Sequence, residues 1–266
     1  MSLSPLIAAY DNVILDLDGT VWVGDSTTPR APEAISALRA AGKGLAFLTN
    51  DGSLSPEEYV RKLWSLGCTA GVEEIVSVGS VIGAVLAEIT PPARVYVIGG
   101  QPIFRQVSDA GHRVINGTDQ EEQAEIVVAL SHPSFSYRDM LVATRALYAG
   151  ARLISGGQDR AFPTAGGIAP GTGAVAAALE FAADVKATFL GKPNPRIFEI
   201  ALDRLRPGRT LMIGDHLASD VDGAHAAGLD AALVLSGVST QSDLDRWNRS
   251  KPISVGPYLA ALVLNP

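Results

Sequence analysis

The chain has 266 residues, room for one large domain or two modest ones. Hydrophobic residues make up 47% and charged residues 18%, which excludes a long disordered chain, since this much apolar surface can be buried to offset chain entropy. The formal net charge is −7 with no basic run, and phosphate-backbone binding needs a basic stripe to displace counterions, so no nucleic acid is expected as a partner.

The amino-terminal stretch MSLSPLIAAYDN lacks a basic leader followed by an apolar core and a cleavage site, so it does not read as a signal peptide. No apolar run approaches the roughly 20 residues that cross a bilayer, so no membrane is expected and the expected localisation is cytoplasmic. Next comes NVILDL, too short and too β-branched for a helix, then a Gly and Thr turn and the helical APEAISALRAAGKG with its glycine stop. GLAFLT reads as the second strand. Ser55 to Glu58 have the spacing of a capping box with Pro56 at the first helical position, and predict a helix to Gly67. Cys68, the single cysteine, cannot form an internal disulfide and has no basic neighbour to lower its pKa; it reads as a small buried hydrophobe.

A segment with its own alternation follows: RVYVIGG, a helix to Gly111, EIVVAL, a helix through SYRDMLVATRALYAG, and RLISGG. An extra set of strands needs its own sheet, so residues 91–184, bounded by Pro91 and Pro92 and by an Ala-rich helix, are expected to form an inserted α/β domain within a core of residues 1–90 and 185–266. The strands ATFL, TLMIG and AALVL return to the core, each followed by a turn and a helical stretch. Apolar runs alternating with amphipathic ones predict α/β architecture around a largely parallel sheet.

Four motifs fall at predicted strand ends. In DLDGT, Asp16 and Asp18 lie two apart and share a face of an extended chain, while Gly19 permits a sharp turn. Adjacent carboxylates repel unless a proton or cation separates them, and a divalent metal is the obvious relief; a solvated acidic turn is the plain alternative. In LTN, Thr49 and Asn50 can donate to an anion or simply form a turn. Lys192 in GKPNP is stiffened by Pro193 and Pro195, and read alone is a surface charge. In GDHLASD, Gly214 allows a turn after TLMIG, and the four residues between Asp215 and Asp220 could bring the second acid back to the first. Ligands of open α/β sheets bind outside the carboxyl ends of strands, and acids, a hydroxyl, amides and a lysine collected there suit a phosphate ester.

DLDGT, LTN, GKPNP and GDHLASD, in this order, resemble the four motifs of the haloacid dehalogenase (HAD) superfamily, and more finely its NagD-like phosphatases; AFPTAGGIAPGTGAVAAALE and DGAHAAGLDAALVLSGV extend the likeness from Asn12 to Val238. The resemblance implies a Rossmann-like three-layer core with an inserted α/β cap domain of the C2 type. It also implies a phosphatase of small phosphomonoesters (sugar, glycerol, nucleotide or similar phosphates) that works through an aspartyl phosphate. Asp16 would be the nucleophile and Asp18 the general acid and base. Mg²⁺ would be held by the Asp16 carboxylate, the Asp18 carbonyl and Asp215, with Asp220 in support. Thr49, Asn50 and Lys192 would grip the phosphoryl group, and Lys192 would also steady Asp16.

From Asn50 to Lys192 the chain runs 142 positions, enough for a cap, whereas Asp18 and Thr49 are 31 apart and leave no room for one. Departures from the branch concern Asp51 in TND, Ser219 in place of a threonine, His132 where an aspartate is usual, and Gly157 and Gln158 where an Asn-Pro pair is usual. They bear on substrate identity. Asp159 and His132 are the candidate contacts to the leaving group, and Phe135 and Phe162 are expected to pack. A homodimer is left open as a partner beside the phosphate ester. The rival reading is a receiver-like phosphoacceptor without turnover, against which Asp18 and the insertion both count; a dinucleotide-binding module is disfavoured because no GxGxxG follows the first strand.

Overall fold

A computed structural model describes residues 2–164 and 167–265, with the side chains of residues 162–164 outside that description. The expected packing of Phe162 therefore lies outside the described residues. The chain divides into two compact units: one of Met1–Thr49, Pro56–Val76 and Lys192–Pro266, the other of Asn50–Ser55 and Ser77–Gly191.

The first unit is built on a six-stranded sheet ordered Ser254–Gly256, Asp230–Val234, Thr210–Gly214, Asn12–Asp16, Gly44–Thr49, Ile75–Ser77. Asn12–Asp16 is buried along its whole length and pairs in parallel with Thr210–Gly214 on one side and Gly44–Thr49 on the other. A strand covered on both faces must be apolar throughout, and Val13, Ile14 and Leu15 are fully buried. The helix Ala31–Ala40 ends before Gly42, whose φ of +69° takes the left-handed turn that stops it; Pro56–Ser65 opens on its proline as the capping spacing predicts. Cys68 is buried and its thiol is pushed up to about 11, by burial and then by Glu33, as suits a small hydrophobe.

The second unit carries a five-stranded parallel sheet ordered Thr188–Phe189, Arg152–Ser155, Ile126–Ala129, Arg94–Ile98, Arg113–Val114. Its own core gathers Tyr96, Val127, Ala143, Leu153 and Leu179, with Phe135 packed against it as expected. The helix Tyr137–Tyr148 starts in a capping box: Ser136 Oγ accepts from the Asp139 amide, and Asp139 Oδ2 accepts from the Ser136 amide. Thr188–Phe189, expected in the core sheet, pairs instead with Ile154 and Ser155, so the strand that precedes Lys192 belongs to the second sheet. The apolar helix Val78–Ala87 also belongs to this unit, where it packs on Gln101–Asp109.

Several short elements carry no readable periodicity. They include the hairpin Trp22–Val23 with Ser26–Thr27, the antiparallel pair Ala161–Thr164 with Gly167–Pro170, and the strands Ile75–Ser77, Arg113–Val114 and Ser254–Gly256. Among the described residues no helix is long and apolar enough to cross a membrane.

Candidate active site

In the first unit the chain leaves the central strand in one direction through Gly44–Thr49 and Ile75–Ser77, then returns on the other side through Thr210–Gly214 and its neighbours. The crevice of such a sheet opens between the two strands where the order reverses, here Asn12–Asp16 and Thr210–Gly214. Asp16 ends one and Asp215 follows the other. Asp16 is in register with Leu48, which places the buried Thr49 one residue further along the adjacent strand.

Asp16, Asp215, Asp220 and Lys192 are all buried, each no more than 5% exposed. Lys192 Nζ donates to Asp16 Oδ1 and, at 2.7 Å, to Asp220 Oδ1. Asp220 Oδ2 accepts the amides of Asp215 and His216, both at 3.0 Å. The chain makes this return through a π-helical turn, Leu217–Val221, whose wider ring places Asp220 back over the residue that follows the strand. His216 caps the turn, its Nδ1 meeting Ser219 Oγ at 2.6 Å. Gly214 is required here, because a Cβ would overlap the Asp220 carboxylate. Asp215 Oδ2 accepts the Val238 amide at 2.5 Å, and Thr20 Oγ1 donates to Asp16 Oδ2 at 3.3 Å.

Gly19 has φ of +87°, and a Cβ there would overlap the Asp215 carboxylate; its carbonyl accepts from Ser236 Oγ at 2.6 Å. Asp18, in contrast to Asp16, is exposed, and its Oδ1 accepts from Trp22 Nε1 at 2.7 Å.

Three carboxylates around one ammonium leave two negative charges in a buried place. Burial and the neighbouring acids Asp220 and Asp215 push Asp16 well above the carboxylate range, against the opposing pull of Lys192. Asp215 is pushed up to about 6 by burial and then by Asp220. Burial works against the charge on Lys192, but Asp16 and Asp220 outweigh it and hold the ammonium above the ordinary lysine range. One ligand oxygen from each of Asp16, Asp215 and Asp220 lies within 4.8 Å of the others, so all three can face one ion. An all-oxygen, doubly charged donor set suits a hard divalent cation. Asp220 already accepts three hydrogen bonds, which makes it a support for Lys192 and for the Asp215 turn.

In the second unit Asn50 Nδ2 donates to Asp159 Oδ2 at 3.2 Å. His132 follows Ile126–Ala129 and Asp159 follows Arg152–Ser155, so both stand at carboxyl ends of neighbouring strands. His132 Nδ1 is engaged with Ser134 Oγ at 2.6 Å. The structure thus groups Asp16, Asp18, Thr49, Lys192, Asp215 and Asp220 in one unit and Asn50, His132 and Asp159 in the other. Sequence reading gave no role to Thr20, Trp22, His216 or Ser236. The signal for Ser236 and Val238 was their place just after Asp230–Val234, at the same sheet edge as Asp215.

Residues 13–113 match the family described as haloacid dehalogenase-like hydrolase, and residues 189–262 one described as HAD-hydrolase-like. A D-glycerol 3-phosphate phosphatase of Mycobacterium tuberculosis is 33% identical over 88% of this chain and 65% of its own length, so the chain spans about two thirds of that relative. A 5′-nucleotidase of Bacillus subtilis is 32% identical over 88% of this chain and 91% of its own length. The solved structure of glycerol phosphate phosphatase from Mycobacterium tuberculosis in complex with magnesium superposes with a TM-score of 0.90 at 31% identity, covering 99% of this chain and 79% of that one.

Proposed function

The chain belongs to the haloacid dehalogenase-like hydrolases, in the NagD-like branch of phosphoric monoester hydrolases, and from that premise we propose that it hydrolyses small phosphomonoesters through an aspartyl phosphate on Asp16. The observation that carries this reading is the buried cluster of Asp16, Asp215, Asp220 and Lys192 at the reversal point of the sheet. Sugar, glycerol, nucleotide and similar phosphates are the substrate class.

An Asp16 oxygen attacks phosphorus while the bond to the ester oxygen breaks, and Asp18 gives its proton to that oxygen so that an alcohol leaves. Asp18, now a carboxylate, takes a proton from water as the water oxygen bonds to phosphorus and the bond to Asp16 breaks. Lys192, Thr49 and Asn50 would hold phosphoryl oxygens, and Lys192, bonded to Asp16, would also fix the attacking carboxylate. Asp16, the Asp18 carbonyl and Asp215 would hold Mg²⁺, with Asp220 in support; when bound it neutralises the paired carboxylates and draws charge from the phosphoryl oxygens. The magnesium complex of the mycobacterial phosphatase supports that choice of ion. Asp159 and His132 of the second unit would serve discrimination among esters.

The test is kcat/KM across a broad panel of phosphate esters with Mg²⁺, together with Asp16→Asn. Steady phosphate release that stops in EDTA and is abolished in Asp16→Asn is the expected result. A stable phosphoprotein without turnover would instead indicate the receiver-like alternative, and near wild-type release by Asp16→Asn would remove the nucleophile assignment.

A further inference from the structure

Trp22 lies four residues beyond Asp18, fully buried, in a loop folded tightly on itself. The Leu17 carbonyl accepts the amides of Thr20, Val21 and Trp22, and the Trp22 carbonyl accepts the Gly19 amide at 2.7 Å. The hairpin with Ser26–Thr27 pins the Trp22 backbone from the other side. From this fixed base Nε1 reaches Asp18 Oδ1 at 2.7 Å, and Lys62 Nζ stands 4.3 Å from the centroid of the indole ring. The indole is held through backbone, ring face and N–H at once, whereas the carboxylate it grips is exposed.

We propose that Trp22 is the positioning residue for Asp18, its indole N–H fixing the carboxyl group that exchanges a proton with the leaving group and with water. The indole nitrogen only donates, and a carboxyl oxygen can accept from it whether Asp18 is protonated or not, so this hold persists through both chemical steps. In the first, the carboxyl O–H bond of Asp18 breaks and the proton passes to the ester oxygen, which keeps the electron pair of the broken P–O bond. In the second, a water proton passes to the Asp18 carboxylate as the water oxygen bonds to phosphorus and the bond to Asp16 breaks. Holding the carboxyl from a fixed ring narrows the rotamers it samples, and misplacing a catalytic group by about 1 Å costs on the order of a hundredfold.

The inference rests on the acid and base role given to Asp18 above, and its test separates the two. Trp22→Phe removes the N–H, and β-(3-benzothienyl)alanine installed at position 22 removes it with the ring shape kept, so the second variant carries the test if the first does not fold. Each is assayed with Mg²⁺ on the best alkyl phosphate of the panel and on 4-nitrophenyl phosphate, alone and in the Asp18→Asn background. Alkyl leaving groups need the proton and nitrophenolate scarcely does. Expected is a roughly ten- to hundredfold loss of kcat/KM on the alkyl ester, a loss of kcat/KM under about threefold on the nitrophenyl ester, whose leaving step needs no proton, and no further loss once Asp18 is Asn; the water step, common to both esters, shows in kcat and not in this comparison. Equal losses of kcat/KM on both esters, an undiminished loss in the Asp18→Asn background, or unchanged alkyl turnover in both Trp22 variants would overturn it. Deep impairment of Asp18→Asn beside wild-type Trp22 variants defeats the inference alone; a near wild-type Asp18→Asn defeats the acid role and the inference with it.

Discussion

Lys192 pairs with two buried carboxylates, Asp16 and Asp220, in a cluster that holds a third, Asp215, and what it does for catalysis and for folding follows from that imbalance. Lys192→Ala should lower kcat by about 10² to 10³, the range for losing one preorganised charge at a reacting group, and Arg should substitute poorly because its planar fork does not fit a site made for a point charge. The same change leaves Asp16 and Asp220 buried without their ammonium, at a cost of about 3–5 kcal/mol. A divalent cation can supply much of the missing charge, so the gap in Tm between Mg²⁺ and EDTA should be wider in Lys192→Ala than in the wild type; an unchanged gap would show that the cation does not bind at these carboxylates. Asp215 adds a pH dependence. Its folded pKa, raised from 3.8 to about 6, means that the metal-free fold retains a proton the unfolded chain has lost, so stability from this group falls as pH rises through that window. Binding the cation releases that proton, and thermal shift at fixed Mg²⁺ should show the metal's stabilisation growing between about pH 5 and 7. The surface acids, present in both arms, cancel in the comparison.

At the scale of elements, the turn Leu217–Val221 converts the spacing of Asp215 and Asp220 into a site. Gly214 is its hinge, and Gly214→Ala should drive a methyl group into the Asp220 carboxylate, displacing both that acid and the amides it holds. The expected outcome is a loss of turnover of at least tenfold with weakened Mg²⁺ affinity by calorimetry, while circular dichroism stays close to wild type. Wild-type affinity in that variant would mean that the turn does not set the metal ligands. The long strands and helices were legible because their periodicity spans enough residues to register: Asn12–Asp16, Gly44–Thr49 and Thr210–Gly214 all form as read. The hairpin at Trp22–Val23 was not, since two residues per strand carry no period. That gap hid the contact of Trp22 with Asp18 although Trp22 lies only two residues beyond the first motif.

Over the whole molecule, two parallel sheets, each entered near its middle and extended to both sides, account for the alternation of apolar runs and helices along the sequence. The first holds the groups suited to a phosphoryl group, and on the proposed function discrimination among esters would rest with Asp159 and His132. Asp159→Ala should therefore change the ranking of good substrates by roughly ten- to a hundredfold in kcat/KM for individual esters, while 4-nitrophenyl phosphate is still hydrolysed. A uniform fall on all esters would place Asp159 in folding, and no change would remove it from recognition. Its bond to Asn50, the residue next to Thr49, is the structural reason to expect an effect.

Local spacing is a property of the chain itself, so the α/β class, the strand ends and the order of the four motifs could be read from the sequence alone. Asp16 and Asp18 two apart, and Asp215 and Asp220 five apart, are statements about a few consecutive bonds. The partners of those residues are another matter. Lys192 reaches Asp16 across 176 positions, and Ser236 reaches Gly19 across 217, because parallel strands distant in sequence become neighbours only when the sheet assembles. The affiliation of Thr188–Phe189 was decided the same way: two residues of edge strand have no preference of their own and take the sheet whose register lies open to them. The raised acids, likewise, exist only in the fold, since an aspartate departs from its ordinary pKa when burial strips its water and brings other charges beside it.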